Sequence, residues 1–184
     1  MIPLLEYLFN LSFTTKTVPD KLKIAKLIPI FKKQLDEERL IPGNYRPISL
    51  LSIVNKILEK LMYARLISFI NKHKLLYKYQ FGFRKNHSTA LALIEITDNI
   101  IKDLESGKCS AGIFIDFKKA FDTVDHNILL SKLEHYGIRG QTLEWLKSYI
   151  TNRQQFAYVN RKNQNWNKLH AAYHKVQYWG HFFS

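Results

Sequence analysis

The chain has 184 residues, of which 46% are hydrophobic and 14% aromatic. This composition is typical of a globular protein and excludes disordered and fibrous classes. Lys and Arg outnumber Asp and Glu by 28 to 15, which gives a formal net charge of +13. Such an excess predicts a polyanionic partner, with nucleic acid ahead of an anionic membrane surface.

Cysteine content and hydropathy narrow the class of protein further. The lone Cys109 excludes an internal disulfide and a cysteine-rich zinc site, which favours a reducing compartment. The apolar opening, Met1–Phe13, lacks the basic region and the small-residue cleavage site of a signal peptide. No apolar run is long enough to span a membrane. The sequence therefore predicts an intracellular protein, nuclear or cytoplasmic, without a membrane partner.

Hydrophobic periodicity and capping residues predict the elements of the first part of the chain. Pro42 and Gly43 form a turn signal within a polar stretch, which is predicted to be a loop. The predicted elements are a helix over Met1–Phe13, a strand over Ala25–Phe31, a loop over Gln34–Arg46, a helix from the Ser52 cap to about His73, and a helix over Ser88–Ser106 with Ala92, Ile96, Ile100, Ile101 and Leu104 facing inward.

The remaining predicted elements alternate between strands and helices. Gly137 is expected to stop one of the helices, because glycine tolerates the left-handed backbone of a helix end. After Asn160 neither periodicity is clear. The predicted elements are a strand over Ala111–Asp116, a helix from the Asp125 cap to Tyr136, a helix over Thr142–Thr151 and a strand over Gln155–Val159.

Asp116 stands directly after an apolar run, where an ionised carboxylate is costly unless a positive partner meets it. A bound Mg²⁺ is one such partner, because it binds carboxylate oxygens together with substrate phosphates. The other interpretation is that Asp116 caps the following turn. These residues alone leave both interpretations open.

Four segments between about Phe9 and Asn160 stand in the order and spacing of one protein family. They are Asn-Tyr-Arg-Pro-Ile-Ser-Leu-Leu (44–51), Gln-Phe-Gly-Phe-Arg-Lys-Asn-His-Ser-Thr (80–89), Ile-Asp-Phe-Lys-Lys-Ala-Phe-Asp-Thr-Val-Asp-His (115–126) and Leu-Glu-Trp-Leu-Lys-Ser-Tyr-Ile-Thr-Asn-Arg-Gln (143–154). Together they resemble the reverse transcriptase of non-LTR, LINE-type retrotransposons. The third segment resembles the first catalytic motif of that family.

The resemblance implies an α+β fold of the polymerase right-hand type. Residues 1–106 would form the fingers and residues 107–160 an incomplete palm, while the thumb would be absent. Residues 161–184 would be a non-native, out-of-frame tail. The implied parent activity is RNA-templated DNA synthesis from a target-primed end, with an RNA template, a DNA primer and deoxynucleoside triphosphates as partners.

The resemblance also implies roles for individual residues. Two Mg²⁺ ions would activate the primer hydroxyl and stabilise displacement at the α-phosphate. Asp116 and the carbonyl of Phe117 would bind the metals, and Arg46 would contact the triphosphate. Lys32 and Lys33 would either help Arg46 or form a solvated charge pair. Phe121 would exclude a sugar 2′-hydroxyl, and Arg84 would support the template channel.

Two departures from the family weigh against activity of this chain. The Pro-Gln-Gly motif is absent, and so is the Tyr-x-Asp-Asp hairpin whose carboxylates complete the metal site. After Asp125 the acidic residues are Glu134 and Glu144, both on predicted helices. We therefore expect an inactive chain whose uncovered palm strand favours self-association.

The codons of Ala171–Ser184 offer an explanation for the missing motif. If each codon begins at the third base of the preceding one, the degenerate code permits Gly-Val-Pro-Gln-Gly-Ser-Val-Leu-Gly-Pro-Leu-Leu-Phe. This string resembles the family's Pro-Gln-Gly motif and its flanks. The sequence therefore predicts a frameshift between about Asn160 and Ala171.

Three alternatives to a polymerase fragment stay open at this point. The chain could be a non-catalytic RNA- or DNA-binding remnant, a pseudogene product without a stable fold, or a related maturase-type protein. The Thr-Val-Asp-His ending of the catalytic motif and the Trp145-Leu146 pair favour the LINE type over the maturase type.

Overall fold

Helices and a small mixed sheet make up the part of the chain that this computed structural model describes, namely residues 2–31, 44–117, 120, 124–157 and 169–170. None of the described helices combines the length and the hydropathy needed to cross a bilayer. The elements are α1 (Ile2–Thr14), a short 3₁₀ helix (Asp20–Lys23), β1 (Ile24–Phe31), β2 (Tyr45–Leu50), α2 (Ile53–Lys72), α3 (Thr89–Glu105), α4 (His126–His135), α5 (Gly140–Ile150), β3 (Gln154–Ala157) and β4 (Leu169–His170).

The predicted N-caps at Ser52 and Asp125 are confirmed, and Ser88, the predicted first residue of a helix, is a third N-cap. The side-chain oxygens of Ser52, Ser88 and Asp125 accept hydrogen bonds from backbone N–H groups inside α2, α3 and α4, at 3.2, 3.2 and 2.8 Å. These bonds satisfy donors that a helix start leaves without an intrahelical acceptor. Gly137 follows α4 with φ of +92°, so the predicted glycine stop is confirmed as well.

The sheet has the strand order β2-β1-β3-β4. β1 pairs antiparallel with β2 and parallel with β3, and β4 pairs antiparallel with β3. The prediction of a loop through Arg46 is wrong at its end, because β2 begins at Tyr45. The sequence pattern does not predict this strand because it contains Pro47. Proline has no backbone N–H to donate to a ladder, and within sheets it is found at edge strands, strand starts and bulges. β2 is such an edge strand.

The core lies between α1, α2 and α5. Trp145 is 1% exposed, its ring stacks on Tyr149 at 5.5 Å, and its Nε1 donates to Ser12 Oγ at 3.0 Å. Leu58 and Leu146 are fully buried beside them. An ion pair between Lys16, just after α1, and Glu144 on α5 adds a further contact at 2.8 Å. The core thus joins the opening helix to a helix more than a hundred residues later.

α3 forms over the predicted residues, but its predicted burial is wrong. Four residues expected to face inward, Ile96, Ile100, Ile101 and Leu104, are between 41% and 63% exposed, and α3 has no buried residue. An apolar stripe gains free energy only when another surface removes it from water. The described elements leave that stripe uncovered.

Candidate functional site

Asp116 lies on a segment that is open to solvent. Ile113 and Phe114 before it are 89% and 92% exposed, and Phe117 after it is 73% exposed. The prediction of a strand over Ala111–Asp116 is wrong, because the segment pairs with none of the described strands. A strand is stable only where a neighbour satisfies its N–H and C=O groups, so apolar sequence alone does not produce one.

The carboxylate of Asp116 is the candidate metal ligand. Across the described ranges, no three His, Cys, Asp or Glu side chains converge closely enough to hold a metal ion. Of the later carboxylates, Glu134 lies on α4, and Glu144 on α5 is engaged with Lys16 at 2.8 Å. The side chains that the structure describes therefore do not fit a two-metal centre around Asp116.

Arg46 lies on the edge strand β2, where its Cα is paired with that of Ile30 on β1. Its side chain is exposed. The neighbouring pair, Phe31 and Tyr45, brings two aromatic rings to 5.3 Å and stabilises this end of the ladder. The sheet thus fixes the backbone that presents Arg46 to solvent, and no ion pair between Arg46 and Asp116 occurs among the described residues. Three other predicted site residues lie outside the described ranges, namely Lys32, Lys33 and Phe121.

Arg84 stabilises the long connection between α2 and α3. Its Nη1 donates to the carbonyl oxygen of Tyr77 at 3.5 Å, and the backbone N–H of Gln80 donates to the same oxygen at 3.0 Å. The backbone N–H of His87 in turn donates to the carbonyl of Arg84 at 3.2 Å. Arg84 therefore links two successive turns, with its guanidinium bound to the first turn and its carbonyl bound to the second.

The same connection presents aromatic and basic side chains that the predicted site does not include. Tyr77 and Tyr79 are 66% and 45% exposed, with ring centroids 5.5 Å apart in an edge-on arrangement. Lys78 stands between the two tyrosines in the sequence, and its Nζ lies 4.5 Å from the centroid of the Tyr79 ring. The signal in the sequence is the alternation Tyr-Lys-Tyr shortly before Phe83 and Arg84, a combination typical of single-strand binding surfaces.

Comparison with known proteins identifies the family. The family model described as "Reverse transcriptase (RNA-dependent DNA polymerase)" matches residues 30–178. The chain is 34% identical over 155 residues to "Probable RNA-directed DNA polymerase from transposon BS" of Drosophila melanogaster, covering 81% of this chain and 16% of that protein. It is 30% identical to "Probable RNA-directed DNA polymerase from transposon X-element" of the same fly, covering 79% of this chain and 16% of that protein.

A third relative is the "RNA-directed DNA polymerase from mobile element jockey" of Drosophila melanogaster. It is 34% identical over 128 residues, which cover 70% of this chain and 14% of that protein. The chain thus spans about a sixth of the length of the curated relatives it matches. The matched family model covers most of the chain, including the segments that contain Arg46, Arg84 and Asp116. The chain therefore belongs to the reverse transcriptase family, as a fragment of the retrotransposon type of RNA-directed DNA polymerase.

Proposed function

We propose that this chain forms the fingers and the first part of the palm of a non-LTR retrotransposon reverse transcriptase. The parent activity is RNA-templated DNA synthesis, with residues 1–106 as fingers and residues 107–160 as palm. The observation that carries the proposal is the occurrence of four family motifs in order, within a chain whose residues 30–178 match the family model. Arg46 on β2 would face the nucleotide, and Arg84 in the connection between α2 and α3 would face the template.

Each proposed site residue has a role that its chemistry supports. Asp116, with the carbonyl of Phe117, binds the catalytic metal in the parent enzyme, because Mg²⁺ prefers oxygen ligands. Arg46 contacts the triphosphate, since a guanidinium forms two parallel hydrogen bonds with phosphate oxygens. The other proposed contacts are Lys32 and Lys33 to the triphosphate, Phe121 to the sugar and Arg84 to the template channel.

This chain alone is proposed to be catalytically inactive. A two-metal site needs several carboxylates around both ions, and among the described residues no group of three or more His, Cys, Asp or Glu side chains converges. The later carboxylate Glu144 is held by Lys16 at the α1–α5 contact. Purified chain with Mg²⁺, deoxynucleotides and a primed RNA template should therefore give no primer extension. Extension that disappears in Asp116→Ala would refute this proposal.

A frameshift between about Asn160 and Ala171 is proposed as the reason for the missing motifs. A protein made from the corrected reading frame should extend the primer, and Asp116→Ala should abolish that extension. Asp98→Ala is the matched control, because Asp98 is an exposed carboxylate on α3 outside the proposed site. Equal loss in both variants would assign the effect to general charge removal and not to a metal ligand.

A second candidate function is non-catalytic binding of RNA or single-stranded DNA. The net charge of +13 and the exposed Tyr-Lys-Tyr sequence favour it. Binding that weakens steeply with salt supports this function, since each neutralised phosphate releases counterions. Affinity that is unchanged between low and moderate salt would exclude it. The buried core around Trp145 favours a folded protein over a pseudogene product without stable structure, and a cooperative melt would distinguish the two.

A further inference from the structure

A cavity of about 290 Å³ lies where α2, the end of α1 and the turn before α5 meet. Most of its lining is apolar, and two exposed arginines, Arg65 on α2 and Arg139 before α5, lie at its solvent side. The volume is just below the roughly 300–1,000 Å³ of small-molecule pockets, so the cavity suits one bulky group. The apolar lining residues are Phe13, Met62, Leu66, Phe69, Ile138 and Trp145.

The charge of the cavity is positive. The guanidinium carbon of Arg65 lies 4.7 Å from the centroid of the Phe13 ring, and this cation–π contact holds the charge against the apolar lining. Arg139 is held by a hydrogen bond from its Nε to the carbonyl oxygen of Glu134 at 3.3 Å. Among the described residues no carboxylate lines the cavity, and Glu144 on α5 is engaged in an ion pair elsewhere. The cavity therefore suits a group that combines an apolar body with a negative charge.

One exposed segment of this chain has that chemistry. Phe114 is 92% exposed, the largest exposed fraction among the large hydrophobic side chains that the structure describes. Asp116, two residues later, is exposed as well. In an extended backbone, residues two apart point to the same side and stand about 6–7 Å from each other, so the ring and the carboxylate would be presented together. Neither residue lines the cavity of its own chain, so the cavity that can receive this pair is that of another copy.

We propose that the ring of Phe114 enters this cavity in a second copy of the chain, where Asp116 pairs with Arg65 and Arg139 of that copy. The ring would leave water for an apolar site with aromatic walls, which is favourable through burial and through ring contacts. The carboxylate would form charge-assisted hydrogen bonds with the guanidinium groups. A phosphate backbone fits less well, because it would neutralise the arginines and leave the apolar lining in water. The proposal concerns this chain in solution and does not depend on the proposed function.

The symmetry of the contact sets the form of the assembly. Two copies that exchange their segments reciprocally form a closed pair, whereas a contact made in one direction adds copies in an open chain. Each contact involves one ring and one charge cluster, which places it among small, weak interfaces. We therefore expect self-association at protein concentrations on the order of 0.1–1 mM. Unfolding and exchange measurements on dilute samples report the single copy.

Sedimentation equilibrium of the full chain over this concentration range tests the proposal. Phe114→Ala should weaken self-association about tenfold or more, because a buried aromatic side chain carries much of the affinity of a small interface. Tyr7→Ala is the matched control, since Tyr7 on α1 is 64% exposed and lies outside the cavity. It should leave self-association unchanged, and circular dichroism checks that both variants fold.

Reversing the charge of the cavity is the second arm. Arg65→Glu/Arg139→Glu should weaken self-association as strongly as Phe114→Ala does, because the cavity then repels Asp116. Lys60→Glu/Lys72→Glu is the matched control, since it makes the same change in net charge at two exposed positions of α2 outside the cavity. This control should associate as the wild type does.

A mixture of two complementary variants is the sharpest arm. Asp116→Lys alone should stay monomeric, as should Arg65→Glu/Arg139→Glu alone. Mixed in equal amounts, they should associate, because each segment then meets a cavity of opposite charge in the other variant. Such a rescue also shows that both variants fold, and it supports the proposal.

The remaining outcomes overturn the proposal and leave the family assignment intact. A wild type that stays monomeric over the whole range contradicts it directly. If Phe114→Ala weakens self-association, but the cavity variant does not and the mixture shows no rescue, the segment associates with itself as a strand edge. If the cavity variant lowers RNA affinity and leaves self-association unchanged, the two arginines contact nucleic acid and not Asp116.

Discussion

Replacing Trp145 by alanine tests whether the α1–α2–α5 core holds this protein together. Trp145 is 1% exposed, and truncation of a buried tryptophan costs about 3–5 kcal/mol in the free energy of unfolding. The ring also stacks on Tyr149 at 5.5 Å and packs against Phe13 at 5.2 Å, and each aromatic pair adds about 0.5–1.5 kcal/mol. The hydrogen bond from Nε1 to Ser12 is lost as well. We therefore expect a loss near the upper end, about 4–5 kcal/mol.

Urea unfolding followed by helical circular dichroism measures this loss. With a denaturant slope of about 2 kcal/mol per molar, the midpoint should fall by about 2 M. Phe114→Ala is the matched aromatic control, because Phe114 is 92% exposed and should change stability by less than about 0.5 kcal/mol. Equal midpoints for the two variants would refute the claim that this core dominates stability. A large loss in Phe114→Ala would show that residues 111–117 are packed in solution.

Three further predictions concern local stability and charge. Residues 111–117 should exchange their amide hydrogens fast, because they are exposed, and α5 should exchange slowly, because it packs into the core; slow exchange over 111–117 would mean that this segment has found a strand partner. Asp125→Ala should cost about 1 kcal/mol by removing the cap of α4, whereas Asp125→Asn should be nearly neutral; equal urea midpoints for both variants would contradict the cap. RNA affinity of the whole chain should fall steeply as salt rises, which titrations at two ionic strengths would check.

Local signals in the sequence predicted local structure well. Ser52 and Asp125 each precede a helix and accept the backbone hydrogen bonds that the predicted caps require, and Ser88 does the same at the predicted start of α3. A capping oxygen needs only the three residues that follow it, so the sequence contains all the relevant information. The same holds for Gly137, whose positive φ follows from the lack of a Cβ.

Features that depend on a distant partner were predicted poorly. The apolar run ending at Asp116 suits a strand, and the stripe on α3 suits a buried face, yet among the described residues both lack the surface that would cover them. β2 was missed for the opposite reason, because its pairing with β1 outweighs the unfavourable Pro47. Family motifs pointed to Arg46, Arg84 and Asp116. The Tyr-Lys-Tyr alternation at residues 77–79 lies outside those motifs, and the structure adds the exposure and the ring geometry of its two tyrosines.

The coding DNA around and beyond residues 160–184 tests the central claim most directly. If this chain is a reverse transcriptase fragment whose palm is completed in a shifted frame, that frame should encode the Gly-Val-Pro-Gln-Gly run opposite Ala171–Lys175. A Tyr-x-Asp-Asp sequence should follow downstream in the same frame. Stop codons or unrelated sequence there would contradict the frameshift and leave Asp116 without the carboxylates that a two-metal polymerase needs.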